Sequence, residues 1–407
     1  MRILHLIYDD IGNPWLGGGG AVRTLEINRR LAARGHQVIV GCGAYPGAPR
    51  TNVRHGVLYV RVGGKPKSYL AGRLRYAWGV GGLLKRAGYD IVVEDFSPYS
   101  PVGATWRARR GTAVVASVQN LSGGHATRKY GHGMRGLLPV LLERPLLRRL
   151  SEVIAVSPGI AAEMLASGHS RGGHIEVIPN SVGPDFAEVA DLPPVAERPV
   201  ILFLGRLDPY QKGLDMLLRA YAQAAPRMPG VRLELAGGGR PEAIEQIRST
   251  AAECGLPVAE EESARGGAPL VVLRGRLEGK QAVRAVRTCL FMAMPSRYEA
   301  WPIAAIEAAA CGRPLLGTDV VGVRDAAPAT AHGLLVPPGD IGALADGMAA
   351  LAGDAALRGR LGAAGREWAA RFTWDALARR QEEFYCEAIA RAALRAGRQG
   401  ERDSGPA

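Results

Sequence analysis

Short runs of consecutive apolar residues alternate along the whole chain with longer stretches in which apolar positions recur every three to four residues. The runs at 3–8, 38–41, 57–62, 90–94, 113–118, 153–156 and 176–178 are rich in valine and isoleucine and predict strands. Between the first two, Val22, Leu25, Leu31 and Ala32 fall at helical spacing over 21–34, with Gly35 as the stop. A second half repeats the scheme, with strands predicted at 200–204, 232–236, 270–273, 290–294, 314–317 and 334–336. Strands that are apolar nearly throughout need cover on both faces, so the pattern predicts an α/β protein of doubly wound parallel sheets between helical layers. Pro179-Asn180-Ser181 and the proline-rich 191–199 read as the passage between two domains, 1–185 and 186–374. A helix over about 375–395 is expected to pack back onto the first domain, and 396–407 is expected to fray.

Composition narrows this picture only a little. Of 407 residues, 47% are hydrophobic and 22% charged, the balance of a soluble globular chain. No run reaches the roughly 18 to 20 apolar residues of a membrane span, and the N-terminus enters a strand pattern directly, so a cytoplasmic address is expected. Cys42, Cys254, Cys289, Cys311 and Cys386 are scattered and suggest buried thiols rather than a disulfide framework or a zinc site. The net charge of +13 fits an anionic partner: a phosphorylated substrate, a membrane surface or nucleic acid. Nucleic acid is disfavoured, since basic residues are not interleaved with aromatics and no binding motif occurs. Basic residues gather at Lys65, Lys67, Arg73 and Arg75, and again at Arg144, Arg148 and Arg149 beside Leu146, Leu147 and Leu150. The second group is compatible with peripheral contact at the inner membrane face and equally with a solvated helix.

The chemistry concentrates in the run from Pro295 to Ala308. There a strand-like segment delivers Glu299 on a loop, Pro302 suits a first helical turn, and Glu307 follows about two turns later. Glu299 then sits at a cleft mouth, where a carboxylate can accept sugar hydroxyls, and Glu307 can accept both hydroxyls of a ribose. Amides between Ala300 and Ile303, with Trp301 and Pro302 between them, would face a diphosphate at the positive helix end. Taken alone, the two glutamates are also compatible with an unrelated surface residue and a helix residue.

Three glycine turns accompany them. Gly18 and Gly19 open the first helix, where a backbone without Cβ can approach a phosphate or a sugar. The segment fits neither GxGxxG nor GxxxxGK[ST], which counts against a dehydrogenase or a P-loop enzyme. Gly205, Arg206 and Lys212 lie on the turn after the first strand of the second half; the two cations suit a leaving diphosphate without a metal ion. No Asp-x-Asp pair occurs, so no metal site is expected. Gly238, and Arg276 with Leu277, end further strands on what should be the same rim, suited to a diphosphate and a base edge respectively.

Taken together, the glycine loop, Val156-Ser157, Val177-Ile178-Pro179-Asn180, the GRLxxxxKG run from Gly205 to Gly213, EAWPIAAIEAAACGRPLL and 333–340 resemble family 4 glycosyltransferases over nearly the whole chain. That resemblance implies a GT-B fold, two Rossmann-like domains facing an interdomain cleft, with acceptor on the N-terminal domain and nucleotide-sugar donor on the C-terminal one. It implies retaining, metal-independent transfer of a hexose-type sugar from a UDP- or GDP-linked donor to an acceptor hydroxyl, with no cofactor. Arg206 and Lys212 would grip the diphosphate, Glu307 the ribose and Glu299 the transferred sugar. Two segments depart from the family pattern. Ser117-Val118-Gln119-Asn120 stands where relatives carry a histidine; Gln119 and Asn120 are left for the sugar side, with His125 or His132 as substitutes. Val320–Asp325 replaces a glycine-rich turn ending in Glu. The missing histidine keeps open a catalytically silent nucleotide-sugar-binding scaffold.

Overall fold

The computed structural model describes residues 1–13, 18–64, 69–86, 88–97, 103–121, 141, 143, 145–168, 173–189, 197–260 and 271–403. The chain divides into two compact units, Met1–Asn180 with Trp374–Ala407, and Ser181–Thr373.

The first unit is built on β1 (Arg2–Leu6), β2 (Gln37–Gly43), β3 (Thr51–Arg54), β4 (Val57–Val62), β5 (Ile91–Asp95), β6 (Ala113–Val118), β7 (Glu152–Ala155) and β8 (His174–Val177). They form one sheet in the order β3-β4-β2-β1-β5-β6-β7-β8. Every pairing is parallel except β3 with β4. The sequence pattern predicts no strand between 41 and 57, so the antiparallel pairing of β3 adds an edge strand to the expected parallel sheet. Its cause is the dipeptide His55-Gly56: φ is +50° and +78°, and Arg54 pairs with Val57 across a two-residue loop. Such loops need left-handed backbone at both positions.

Helix Gly19–Ala33 covers one face, packing Ile27 and Leu31 with Ile3, Val38 and Val93. The helix Trp374–Asp403 joins the same core through Trp374, Leu377, Phe384, Tyr385 and Ala388. On the other face, Leu4, Leu6 and Val92 pack with Tyr76, Val80 and Leu83.

The second unit carries β9 (Val200–Leu204), β10 (Arg232–Ala236), β11 (Val258–Glu260), β12 (Val271–Gly275), β13 (Phe291–Met294), β14 (Leu315–Thr318) and β15 (Gly333–Val336). Their order is β11-β12-β10-β9-β13-β14-β15, parallel throughout. Helix Leu214–Ala224 buries Leu214, Leu217, Leu218 and Tyr221 against Phe203, Leu235 and Phe291. Within the segment that departs from the expected family pattern, Val321–Ala326 forms a short helix. Among the described residues no helix is long and apolar enough to cross a membrane.

Candidate active site

In an open parallel sheet, ligands bind outside the carboxyl ends of the strands where the order reverses. In the second unit that point lies between β9 and β13, since β10 pairs on one side of β9 and β13 on the other. The turn after β9 carries Gly205, Arg206 and Lys212; the loop after β13 carries Glu299. The cations and the carboxylate thus lie on the two loops that flank the switch point.

The glycines are required because backbones meet there. Gly205 N–H donates to Ala236 O at 3.0 Å, Leu207 N–H to Gly238 O at 2.9 Å and Gly237 N–H to Gly275 O at 2.7 Å, which joins the turns after β9, β10 and β12. A Cβ on Gly237 would lie 1.7 Å from the Gly205 carbonyl oxygen. At Gly213 the φ of +65° and a Cβ position 1.9 Å from Pro295 O impose the same requirement on the junction between the β9 and β13 loops. Gly238, by contrast, has open space around it.

Across that junction Lys212 Nζ donates to Glu299 Oε1 at 2.5 Å, and Ser296 Oγ donates to the same oxygen at 2.7 Å. Ser296 is fully buried and its carbonyl accepts from Thr318 Oγ1 on β14. Glu299 is therefore held from below by the sheet and from the side by a cation. Arg297, two residues earlier, grips the other loop and the helix that follows it: Nη1 and Nη2 reach Asp215 Oδ1 and Oδ2 at 2.8 and 2.7 Å, Nη1 also reaches Tyr210 O, and the guanidinium stacks on the Tyr210 ring. Its own amide donates to Gln211 O at 2.9 Å.

Glu307 lies on helix Ile303–Ala310 and accepts from Gly183 N–H at 3.1 Å. Burial pushes its carboxyl up to about 7; the Gly183 bond opposes this and the nearby Asp185 carboxylate adds to it. Trp301 is buried, edge-on to Phe372 with ring centroids 5.2 Å apart, and thereby fixes the start of that helix. Gly322, on the short helix Val321–Ala326, abuts Glu299 O so closely that a Cβ would lie 2.2 Å from it.

The predicted site residues do not all converge. Lys212 and Glu299 touch, whereas Arg206 is exposed and donates to Gln211 Oε1 at 3.2 Å. Arg276 follows β12 in an exposed pair with Glu278 at 2.8 Å, and Leu277 is half-buried. Ala300, Pro302 and Ile303 occupy the junction into helix Ile303–Ala310. In the first unit Gly18 caps helix Gly19–Ala33 and donates its N–H to Asp9 Oδ2 at 3.2 Å. Gln119 donates to Ser117 Oγ at 3.0 Å and accepts from Asn180 at 3.4 Å, while Asn120 is exposed. His125 and His132 lie outside the described residues, as do Lys65, Lys67 and Arg144 of the basic groups. Ser296, Arg297 and Thr318 join the site only in the structure, although the first two sit inside the motif run, and so do Gly183 and Asp185 from the stretch between the two sheets.

Residues 18–181 match the family described as glycosyl transferase 4-like domain, and residues 198–354 match glycosyl transferases group 1. The chain is 29% identical to a D-inositol 3-phosphate glycosyltransferase of Xylanimonas cellulosilytica, over 92% of this chain and 93% of that one. It is 30% identical to a GDP-mannose-dependent alpha-(1-6)-phosphatidylinositol monomannoside mannosyltransferase of Mycobacterium tuberculosis, over 67% and 72%. The structure of sucrose-phosphate synthase from Thermosynechococcus elongatus superposes with a TM-score of 0.77 at 23% identity, covering 96% and 99%. Two α/β sheets of this order, two matched domains and full-length relatives agree: the chain belongs to the family 4 glycosyltransferases of GT-B fold, enzymes that transfer sugars from nucleotide sugars.

Proposed function

We propose that the second unit binds the donor as a UDP- or GDP-linked hexose and that the enzyme transfers the hexose with retention, without a metal ion, to a hydroxyl acceptor held by the first unit. The observation that carries this reading is the Lys212–Glu299 contact at the β9/β13 switch point. An ammonium has three donors. One is used on Glu299, and the others suit diphosphate oxygens. Arg206, exposed on the same turn, adds a second cation as the bond from anomeric carbon to diphosphate oxygen breaks and its electron pair stays on the diphosphate. The acceptor oxygen bonds to the anomeric carbon on the face the diphosphate leaves, and its proton passes to a phosphate oxygen. That route needs no histidine, which suits a chain with Gln119 at the departing position. Glu299 accepts hydroxyls of the transferred sugar and Glu307 those of the ribose.

Calorimetric titration with UDP and with GDP, in magnesium and in EDTA, tests this. Binding of one nucleotide that survives EDTA and is lost in Arg206→Ala and Glu307→Ala is the expected result. Equal affinity in both variants would overturn the site assignment.

A further inference from the structure

The first unit has a second rim. Strands β5, β6 and β7 are parallel neighbours, so their amino ends lie on one edge of the sheet, opposite the edge used by ligands in such folds. The segments that enter these three strands each bring a basic pair: Lys85 and Arg86 before β5, Arg109 and Arg110 before β6, Arg148 and Arg149 before β7, all exposed. Sequence composition sharpens the asymmetry. No Asp or Glu occurs between His55 and Tyr89, nor between Ser97 and Leu142. Among the described residues, the acids on the segments entering these strands are Asp90, bonded to the Arg2 amide, Glu143, buried, and Glu152, buried and paired with Arg391 and Arg395.

Large apolar side chains stand exposed beside this rim. Trp78 is 87% exposed, Leu74 one turn away is 62% exposed, and Trp106 is 53% exposed. They belong to one surface. Arg107 Nη1 and Nη2 donate to Ala77 O and Trp78 O at 2.7 and 3.1 Å, which ties the turn bearing Trp106 to the helix bearing Trp78; Arg149 stacks over the Trp106 ring at 4.8 Å. Trp78 leaves most of its ring in solvent, and interfacial aromatics flanked by cations are the chemistry of a water–lipid boundary.

We propose that this surface docks on an anionic lipid bilayer, with Leu74, Trp78 and Trp106 entering the headgroup region and the basic rim facing the lipid charge. A second copy of the chain is disfavoured as occupant, because a two-fold contact would set this basic rim against itself. The surface lies on the first unit and the proposed nucleotide site on the second, so either assignment can fail without the other.

The test is partitioning of the full chain onto phosphatidylcholine vesicles with and without phosphatidylglycerol. Binding should require phosphatidylglycerol, weaken with salt, and fall about 1,000-fold in Arg109→Glu/Arg110→Glu, as expected for a four-unit change of charge near an anionic surface. Leu74→Ser/Trp78→Ser should also lose binding, while nucleotide affinity stays at the wild-type value in both variants. In the wild type, brominated lipid should quench tryptophan fluorescence, and Trp78→Phe/Trp106→Phe should remove that quenching. No binding to the anionic vesicles at low salt, or binding unchanged in the charge-reversed variant, would overturn the proposal. So would RNA binding that the same variants abolish in a chain that ignores vesicles.

Discussion

At the scale of single residues, the two glutamates of the motif run sit in opposite environments. Glu307 is raised to about 7 while the unfolded value stays near 4.5. An acid raised on folding binds its proton more tightly in the native state, so the native state loses stability as pH rises from about 4.5 to about 7. The loss from this one group is about 3 kcal/mol. The melting temperature of the ligand-free enzyme should fall across that window, and Glu307→Gln should flatten the fall; an identical pH profile in the variant would contradict the assignment. On the proposed ribose contact, nucleotide affinity should run the other way, rising as Glu307 ionises. Glu299 is held by a cation instead, and Lys212→Met leaves it nearly buried without that partner, at a cost of about 2 to 4 kcal/mol in chemical denaturation. The spacing of the two glutamates is legible in the sequence. The environment of Glu307 is not, because Gly183 and Asp185 come from a segment that reads only as linker.

Elements position these groups through backbone contacts that no side-chain pattern encodes. The β9 and β13 loops meet where Gly213 passes Pro295 O, so Gly213→Ala must push the two loops apart and should cost more than about 2 kcal/mol, together with nucleotide affinity. Arg297 makes the same junction from the other side. A half-exposed ion pair contributes at most about 1 kcal/mol to stability, so Arg297→Met should fold nearly as well as wild type. Its effect should appear in turnover: kcat falls about 10-fold, as for a transition state weakened by about 1.4 kcal/mol, and Arg297→Lys recovers part of it. A variant unchanged in kcat would reduce Arg297 to a surface residue. The glycines of the GRLxxxxKG run are visible in sequence as a motif, yet only the structure shows which glycines around the site are forced. Gly237 and Gly213 are packed against carbonyl oxygens, whereas Gly238 has room. The β3–β4 hairpin is illegible for the converse reason, since β3 is short, edge-placed and half-exposed, and its turn is set by the φ of His55 and Gly56.

At the scale of the whole molecule, the chain leaves the first unit after Asn180 and returns to it at Trp374. A buried arginine binds the departing and returning segments together. Arg23 is fully buried on helix Gly19–Ala33; Nη1 donates to Ile178 O and Pro179 O at 2.8 Å and to Asn180 Oδ1 at 3.1 Å, and Nη2 donates to Gln381 Oε1 at 2.6 Å. Burial pulls its guanidinium down to about 10, opposed by Asp95. One cation thus joins the glycine-loop helix, the exit from the first unit and the returning helix, whose apolar face completes the core with Trp374, Phe384 and Tyr385. The alternation of strands and helices announces two sheets, but the return shows in sequence only as one more amphipathic helix. Removing residues 374–407 strips that face and leaves Arg23 with its Gln381 partner gone, which no local repacking can offset. Differential scanning calorimetry of the truncated chain should therefore lose the transition of the first unit while a second transition, still raised by the cognate nucleotide, persists for 181–373. Arg23→Met in the full chain should lower only the first. Two intact transitions after truncation would show that the terminal helix adds to the first unit without being needed to fold it.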